Sequence, residues 1–98
     1  MIYLLAHLTA LPGNHPDLME AAKAMIAATR DEPGCIRYDL NVSVTDPQSM
    51  IFVEQWESRE ALTAHFAMPH MKVWQKASEG YFTDVKLELI HPEKVEML

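Results

Sequence analysis

Cys35-Ile36-Arg37-Tyr38-Asp39-Leu40-Asn41-Val42-Ser43-Val44 alternates without a break, and after the turn signal Asp46-Pro47 comes a second extended run, Met50-Ile51-Phe52-Val53-Glu54-Gln55-Trp56. In the first run Ile36, Tyr38, Leu40, Val42 and Val44 share one face, with Arg37, Asp39, Asn41 and Ser43 on the other. A period of two marks a strand with one buried face. The second run is apolar on both faces, Met50, Phe52 and Trp56 lying opposite Ile51 and Val53. Such a strand belongs in the middle of a sheet, and its one-sided neighbour at an edge.

Working outward, Glu32-Pro33-Gly34 stops a helix that begins near Pro16, where a first turn tolerates proline. Leu18, Met19, Ala22, Met25, Ile26 and Thr29 recur along it at helical spacing up to about Arg30. Before that helix, Ile2 to Leu11 reads as a strand ended by Pro12-Gly13-Asn14. It too is two-sided, with Ile2, Leu4, Ala6 and Leu8 against Tyr3, Leu5 and Leu11. Downstream, Ser58 is an N-cap for a helix through Ala67, and Pro69 restarts a helix towards Gly80. Thr83 to Ile90 closes the pattern as a strand, Val85, Leu87 and Leu89 alternating with Lys86 and Glu88.

The order β-α-β-β-α-β predicts an α+β, ferredoxin-like βαββαβ sandwich with an antiparallel four-stranded sheet. Right-handed crossovers place the first and third strands in the centre and the second and fourth at the edges. Helices on one face leave the second apolar row of the central strands uncovered, which predicts a homodimer packed sheet to sheet.

Composition narrows the partners. Ninety-eight residues, 49% apolar and 22% charged, make one domain over 1–98, able to bury roughly 65% of its unfolded surface. Eight basic against fourteen acidic residues, net charge -6, oppose a grip on nucleic acid or an anionic membrane. No run approaches 18 consecutive apolar residues, and Met1-Ile2-Tyr3-Leu4-Leu5-Ala6-His7, with no basic n-region or small-residue cleavage site, is not expected to act as a cleavable leader. With Cys35 as the only cysteine, no intrachain disulfide forms, and a cytoplasmic address is expected.

Reactive and aromatic side chains concentrate between Ser58 and Tyr81. Leu62, His65, Phe66 and Pro69 cluster, and His70 and Trp74 follow at helical spacing. A histidine among apolar neighbours can serve as a general base, and it can equally be a core histidine satisfied by a carbonyl. His70 is expected to face solvent, His7 to sit at the dimer face, and His15 and His91 to lie in loops. Glu54 is the odd placement: a carboxylate on a central strand, in line with Met50, Phe52 and Trp56, must be paired, hydrogen-bonded or protonated. A structural role is favoured there over a catalytic base. Tyr38, on the apolar face of its strand, is expected to point its hydroxyl towards the same cavity. His65 and His70 are five apart, a poor chelating interval on one helix, and no metal site is expected. Three glycines provide no phosphate cradle, and no nucleotide fingerprint is present.

Glu32-Pro33-Gly34-Cys35-Ile36-Arg37-Tyr38, Glu54-Gln55-Trp56-Glu57-Ser58, Ala61-Leu62-Thr63-Ala64-His65 and Pro69-His70-Met71 fall in an order and register that resemble the antibiotic-biosynthesis monooxygenase (ABM) superfamily. The resemblance spans roughly residues 1 to 92 and looks closest to the small cofactor-free quinol monooxygenases. It implies a dimeric α+β barrel and a pocket between sheet and helices where a quinol or anthrone meets dioxygen without metal or flavin. His65 matches the family's helical histidine and is the implied catalytic base or anion-stabilising donor. Trp56, Phe66 and Trp74 would shape the slot, with Tyr38, Glu54 and His70 as polar substrate contacts. A haem-degrading branch uses an asparagine, a tryptophan and a histidine where this chain has His7 or Ala6, His65 and Gln75, a departure that argues against haem. Two alternatives share the scaffold: an isomerase on a small carbonyl or sugar-derived signal, and a non-catalytic dimeric protein that binds a small ligand.

Overall fold

A computed structural model describes all 98 residues, and its strands pair as the two-sided pattern requires. Strand β1 (Ile2–Ala10) is followed by helix α1 (Pro16–Arg30), strands β2 (Cys35–Val42) and β3 (Ser49–Trp56), helices α2 (Arg59–Phe66) and α3 (Pro69–Ala77), and strand β4 (Phe82–Ile90). The sheet is antiparallel in the order β2-β3-β1-β4, so the two-sided strands are central. This is the ferredoxin-like α+β fold. The second crossover is built from two short helices, because the extended Met68 and Pro69 interrupt one long one.

The register of β1 on β3 sets Leu4 opposite Glu54, Ala6 opposite Phe52 and Leu8 opposite Met50. Leu4, Ala6, Leu8, Met50 and Phe52, with Ile2, Ala10 and Trp56, form the floor of the core. Leu18, Ala22 and Met25 of α1, Leu62 of α2, and Met71 and Trp74 of α3 complete it from above. Full burial of a leucine such as Leu18 or Leu62 contributes about 1.5–3 kcal/mol. The Ser58 hydroxyl accepts the Ala61 N–H at 3.1 Å and caps α2 as its position predicts.

The turn after α1 is fixed from both sides. Gly34 has φ +85°, and a Cβ placed there would lie 2.6 Å from the Ala61 side chain, so only glycine lets α2 approach. Its carbonyl accepts the Glu57 N–H at 2.8 Å. Glu32, two residues earlier, is thereby held against the underside of α2 and α3.

Two expectations change with the tertiary structure. The alternation predicts Ile36, Val42 and Val44 inward with Tyr38, but Val42 and Val44 are exposed at and beyond the end of β2, and the register shifts between Cys35 and Arg37. That bulge turns Cys35 and Tyr38 towards Trp56 and Glu54 and leaves Ile36 50% exposed. β4 does align Val85, Leu87 and Leu89 with the core row of β1, yet Val85 and Leu87 are 54% and 59% exposed. The helices pack chiefly on β2, β3 and one another, and do not roof this edge. The second row of the central strands, Tyr3, Leu5, Ile51 and Val53, is half-buried, and His7 among them is exposed with its Nε2 3.1 Å from Glu88.

Candidate active site

His65 occupies the last turn of α2 and His70 the first turn of α3, on either side of the Ala67-Met68 break. The interval of five residues therefore does not run along one helix, and the two rings converge. Glu32 Oε2 lies 2.8 Å from His65 Nδ1 and 2.7 Å from His70 Nε2. An ionised carboxylate only accepts, so both nitrogens donate to it. His65 is fully buried, and burial holds its pKa below the ordinary histidine range despite the Glu32 contact. The neutral ring with its proton on Nδ1 keeps a lone pair on Nε2, and that atom has no partner in the protein. Glu32 Oε1 is likewise buried and unpartnered.

The ring of His65 packs 4.8 Å from that of Trp56 and 5.3 Å from that of Tyr38. The Trp56 indole N–H donates in turn to Glu54 Oε1 at 3.1 Å. Glu54 is 3% exposed, and burial, opposed by that hydrogen bond and reinforced by the charge of Glu32, pushes its pKa up to about 7. Burial raises the Tyr38 phenol far above its ordinary value, so it stays a hydroxyl. Cys35 is pushed up to about 11 by burial and the nearby Glu32, which keeps it an unreactive thiol.

A cavity of about 280 Å³ lies between the sheet and α2–α3, near the lower end of the small-molecule range. Leu4, Ala6, Leu8 and Phe52 form its floor, with Phe66, Met71 and Trp74 on the helical side. Tyr38, Glu54, His65 and Gln75 are its polar lining, and Val85 and Leu87 stand at the β4 edge. Of the residues singled out in the sequence, His65, Tyr38, Glu54, Phe66 and Trp74 meet here. Trp56 and His70 do not line this cavity: Trp56 lies behind His65 and Glu54, and His70 borders a separate hollow between α1 and α3.

Glu32 is the site residue that sequence reasoning passed over. Read as part of a helix stop, it lies 33 residues from His65, and no local pattern joins them. Its one signal was membership of the motif Glu32-Pro33-Gly34. Glu32, His65 and His70 also offer three donor atoms within 4.8 Å of one another, types that can hold a divalent metal. Both nitrogens, however, address a single oxygen at hydrogen-bonding distance. That geometry orients an imidazole, as a carboxylate does for a general base.

Comparison with known proteins agrees with this architecture. The family model for antibiotic biosynthesis monooxygenases matches residues 1–77. A probable quinol monooxygenase, YgiN of Escherichia coli, is 28% identical over 102 residues, covering 94% of this chain and 98% of the relative. The structure of Rv0793 from Mycobacterium tuberculosis superposes with a TM-score of 0.86 at 27% identity, over 98% of both chains. The structure of a putative antibiotic biosynthesis monooxygenase from Nitrosomonas europaea reaches 0.89 at 19% identity, over 96% of this chain and 100% of that one, a likeness of fold. Matched along most of its length in both sequence and fold, the chain belongs to the antibiotic biosynthesis monooxygenase family.

Proposed function

We propose that this protein is a cofactor-independent monooxygenase that oxidises a small electron-rich aromatic, of quinol or anthrone type, with dioxygen. Family membership supports the monooxygenase class. The single observation that carries the finer reading is His65: buried, neutral, held at Nδ1 by Glu32, and unpartnered at Nε2 beside an apolar cavity. Triplet dioxygen reacts slowly with closed-shell organics, but a phenolate or carbanion can give it one electron. The protein must then bind the ring in a dry slot and remove a proton. His65 Nε2 takes that proton, and the Glu32 carboxylate stabilises the imidazolium that results. Phe66 and Trp74 hold the ring, and Tyr38 and Glu54 supply polar contacts to its substituents. His70 acts at one remove through Glu32, and Trp56 through Glu54.

The working form is a homodimer in the cytoplasm. The half-buried row of Tyr3, Leu5, Ile51 and Val53, on the face that the helices leave uncovered, supports a second copy covering the sheet. Sedimentation should return about twice the chain mass of 11.2 kDa, and a stable monomer would remove this part of the proposal.

The decisive experiment is oxygen uptake by metal-stripped protein with a panel of quinols and anthrones, beside His65→Ala and an anaerobic control. Saturable uptake that the variant loses is the expected result. No uptake above the uncatalysed background would overturn the oxygenase reading in favour of an isomerase or a ligand-binding protein.

A further inference from the structure

Three buried titratable groups meet the cavity; Tyr38 stays a hydroxyl, and of Glu54 and His65 the mechanism above uses only His65 as a proton carrier. Glu54 stands on the sheet floor, opposite Leu4 on one side and Tyr38 on the other. Its Oε1 accepts the Trp56 indole N–H at 3.1 Å, and no protein donor completes its Oε2. One indole therefore ties the two groups together, its ring 4.8 Å from that of His65 and its N–H on Glu54. A carboxyl so enclosed by apolar side chains favours the acid form, and its pKa of about 7 agrees with that geometry. His65 is displaced the other way, towards the free base. Opposite displacements in one cavity are the arrangement that separates an acid from a base.

Resting on the oxygenase reading, we propose that Glu54 is a second catalytic residue, the acid that hands a proton to the departing oxygen while His65 acts as base. With anthrone the steps balance as follows. His65 Nε2 takes a proton from the ring carbon, and the resulting anion gives one electron to dioxygen. Recombination of the radical pair forms a carbon–oxygen bond, and the peroxide takes back the proton from His65. In the second half His65 removes the remaining hydrogen from that carbon, and its bonding pair becomes the new carbonyl. The oxygen–oxygen bond breaks, and the distal oxygen leaves as water with the proton from Glu54 Oε2. Anthrone and dioxygen thus give anthraquinone and water, and the proton left on His65 restores Glu54. Without an acid, the leaving group would be hydroxide in an apolar slot, which is far costlier.

Glu54→Gln isolates this step, because its carboxamide keeps an acceptor for the Trp56 N–H but has no proton to give. With anthrone as the probe, the anthraquinone formed per oxygen consumed should fall about 100-fold or more in the variant, whatever the change in uptake itself. A hydroperoxide should then accumulate and be detectable with iodide. Glu54→Asp, which restores an acid, should recover part of the quinone formation. The same ratio in wild type and Glu54→Gln would overturn the role of Glu54 and leave the oxygenase reading standing. No oxygen uptake by the wild type would overturn both. Should Glu54→Gln fail to fold, infrared spectra of the wild type decide: a protonated-carboxyl band that titrates near neutrality is expected, and its absence at pH 6 would refute the acid.

Discussion

Beneath α2, at the β2–β3 end of the sheet, the interior holds Glu32, Glu54 and His65, while at the β1–β4 end Val85, Leu87 and Leu89 lie on the surface. The usual placement of polar and apolar side chains is inverted at both ends of one cavity. Neither inversion stabilises a lone protomer. Burying the carboxylates costs free energy that hydrogen bonds from His65, His70 and Trp56 only partly offset. Exposed apolar side chains forgo stabilisation that burial would give, roughly 25 cal/mol per Å². The polar end is therefore suited to moving protons, and the apolar end to receiving a cover or admitting a ring.

That contrast breaks first at Glu32. Glu32→Gln keeps the shape of the side chain but removes the charge that faces the imidazolium, and the amide favours the wrong tautomer of His65. Oxygen uptake should fall about 100- to 1,000-fold with the circular dichroism unchanged. Retained activity would show that the buried carboxylate is only structural.

Next comes the pH dependence of stability. Glu54 titrates at about 7 in the folded chain against an ordinary 4.5, so the fold holds a proton that the unfolded chain has released. Its contribution is fully present below the ordinary value and is lost as pH rises through about 7, amounting to about 3 kcal/mol. His65 runs the other way: its lowered pKa makes stability fall as pH drops through the ordinary histidine value. Comparing wild type with Glu54→Gln cancels the His65 contribution. Urea titrations should agree near pH 4, and by pH 8 the wild type should be the less stable.

The turn that carries Glu32 gives a third test. Gly34→Ala should cost about 2 kcal/mol or more, since it combines a positive φ with a clash against Ala61. Gly80→Ala shares the positive φ but meets open space, and should cost about 1 kcal/mol. Equal losses would mean that α2 yields and the turn is not held as described.

The smallest effect belongs to the apolar end. Leu87→Ser should change unfolding of a monomeric species by under about 0.5 kcal/mol, because the side chain is already exposed. In a dimer that covers β4, the same change should weaken self-association in sedimentation. A large loss of monomer stability would place Leu87 in a core that the structure does not give it.

Local side-chain order carried much of this protein. The two-sided rows of Ile2–Leu8 and Met50–Trp56, the first-turn proline Pro16, the Ser58 cap and the glycine after Pro33 announced the elements, because period, capping and turn geometry are properties of neighbouring residues. The strand order followed from the same rows, and His65, Tyr38 and Glu54 stood out as polar groups among apolar ones. The bulge at Ile36 was invisible, since pairing with β3 and not the alternation of β2 sets it. The open flank of β4 depended on where the helices come to rest. Glu32 could not be joined to His65 and His70 by spacing, for Gly34 and the break at Ala67-Met68 must first fold three separate segments onto one oxygen. Hydrogen bonds across 33 and 38 residues are consequences of packing, and no short-range pattern encodes them.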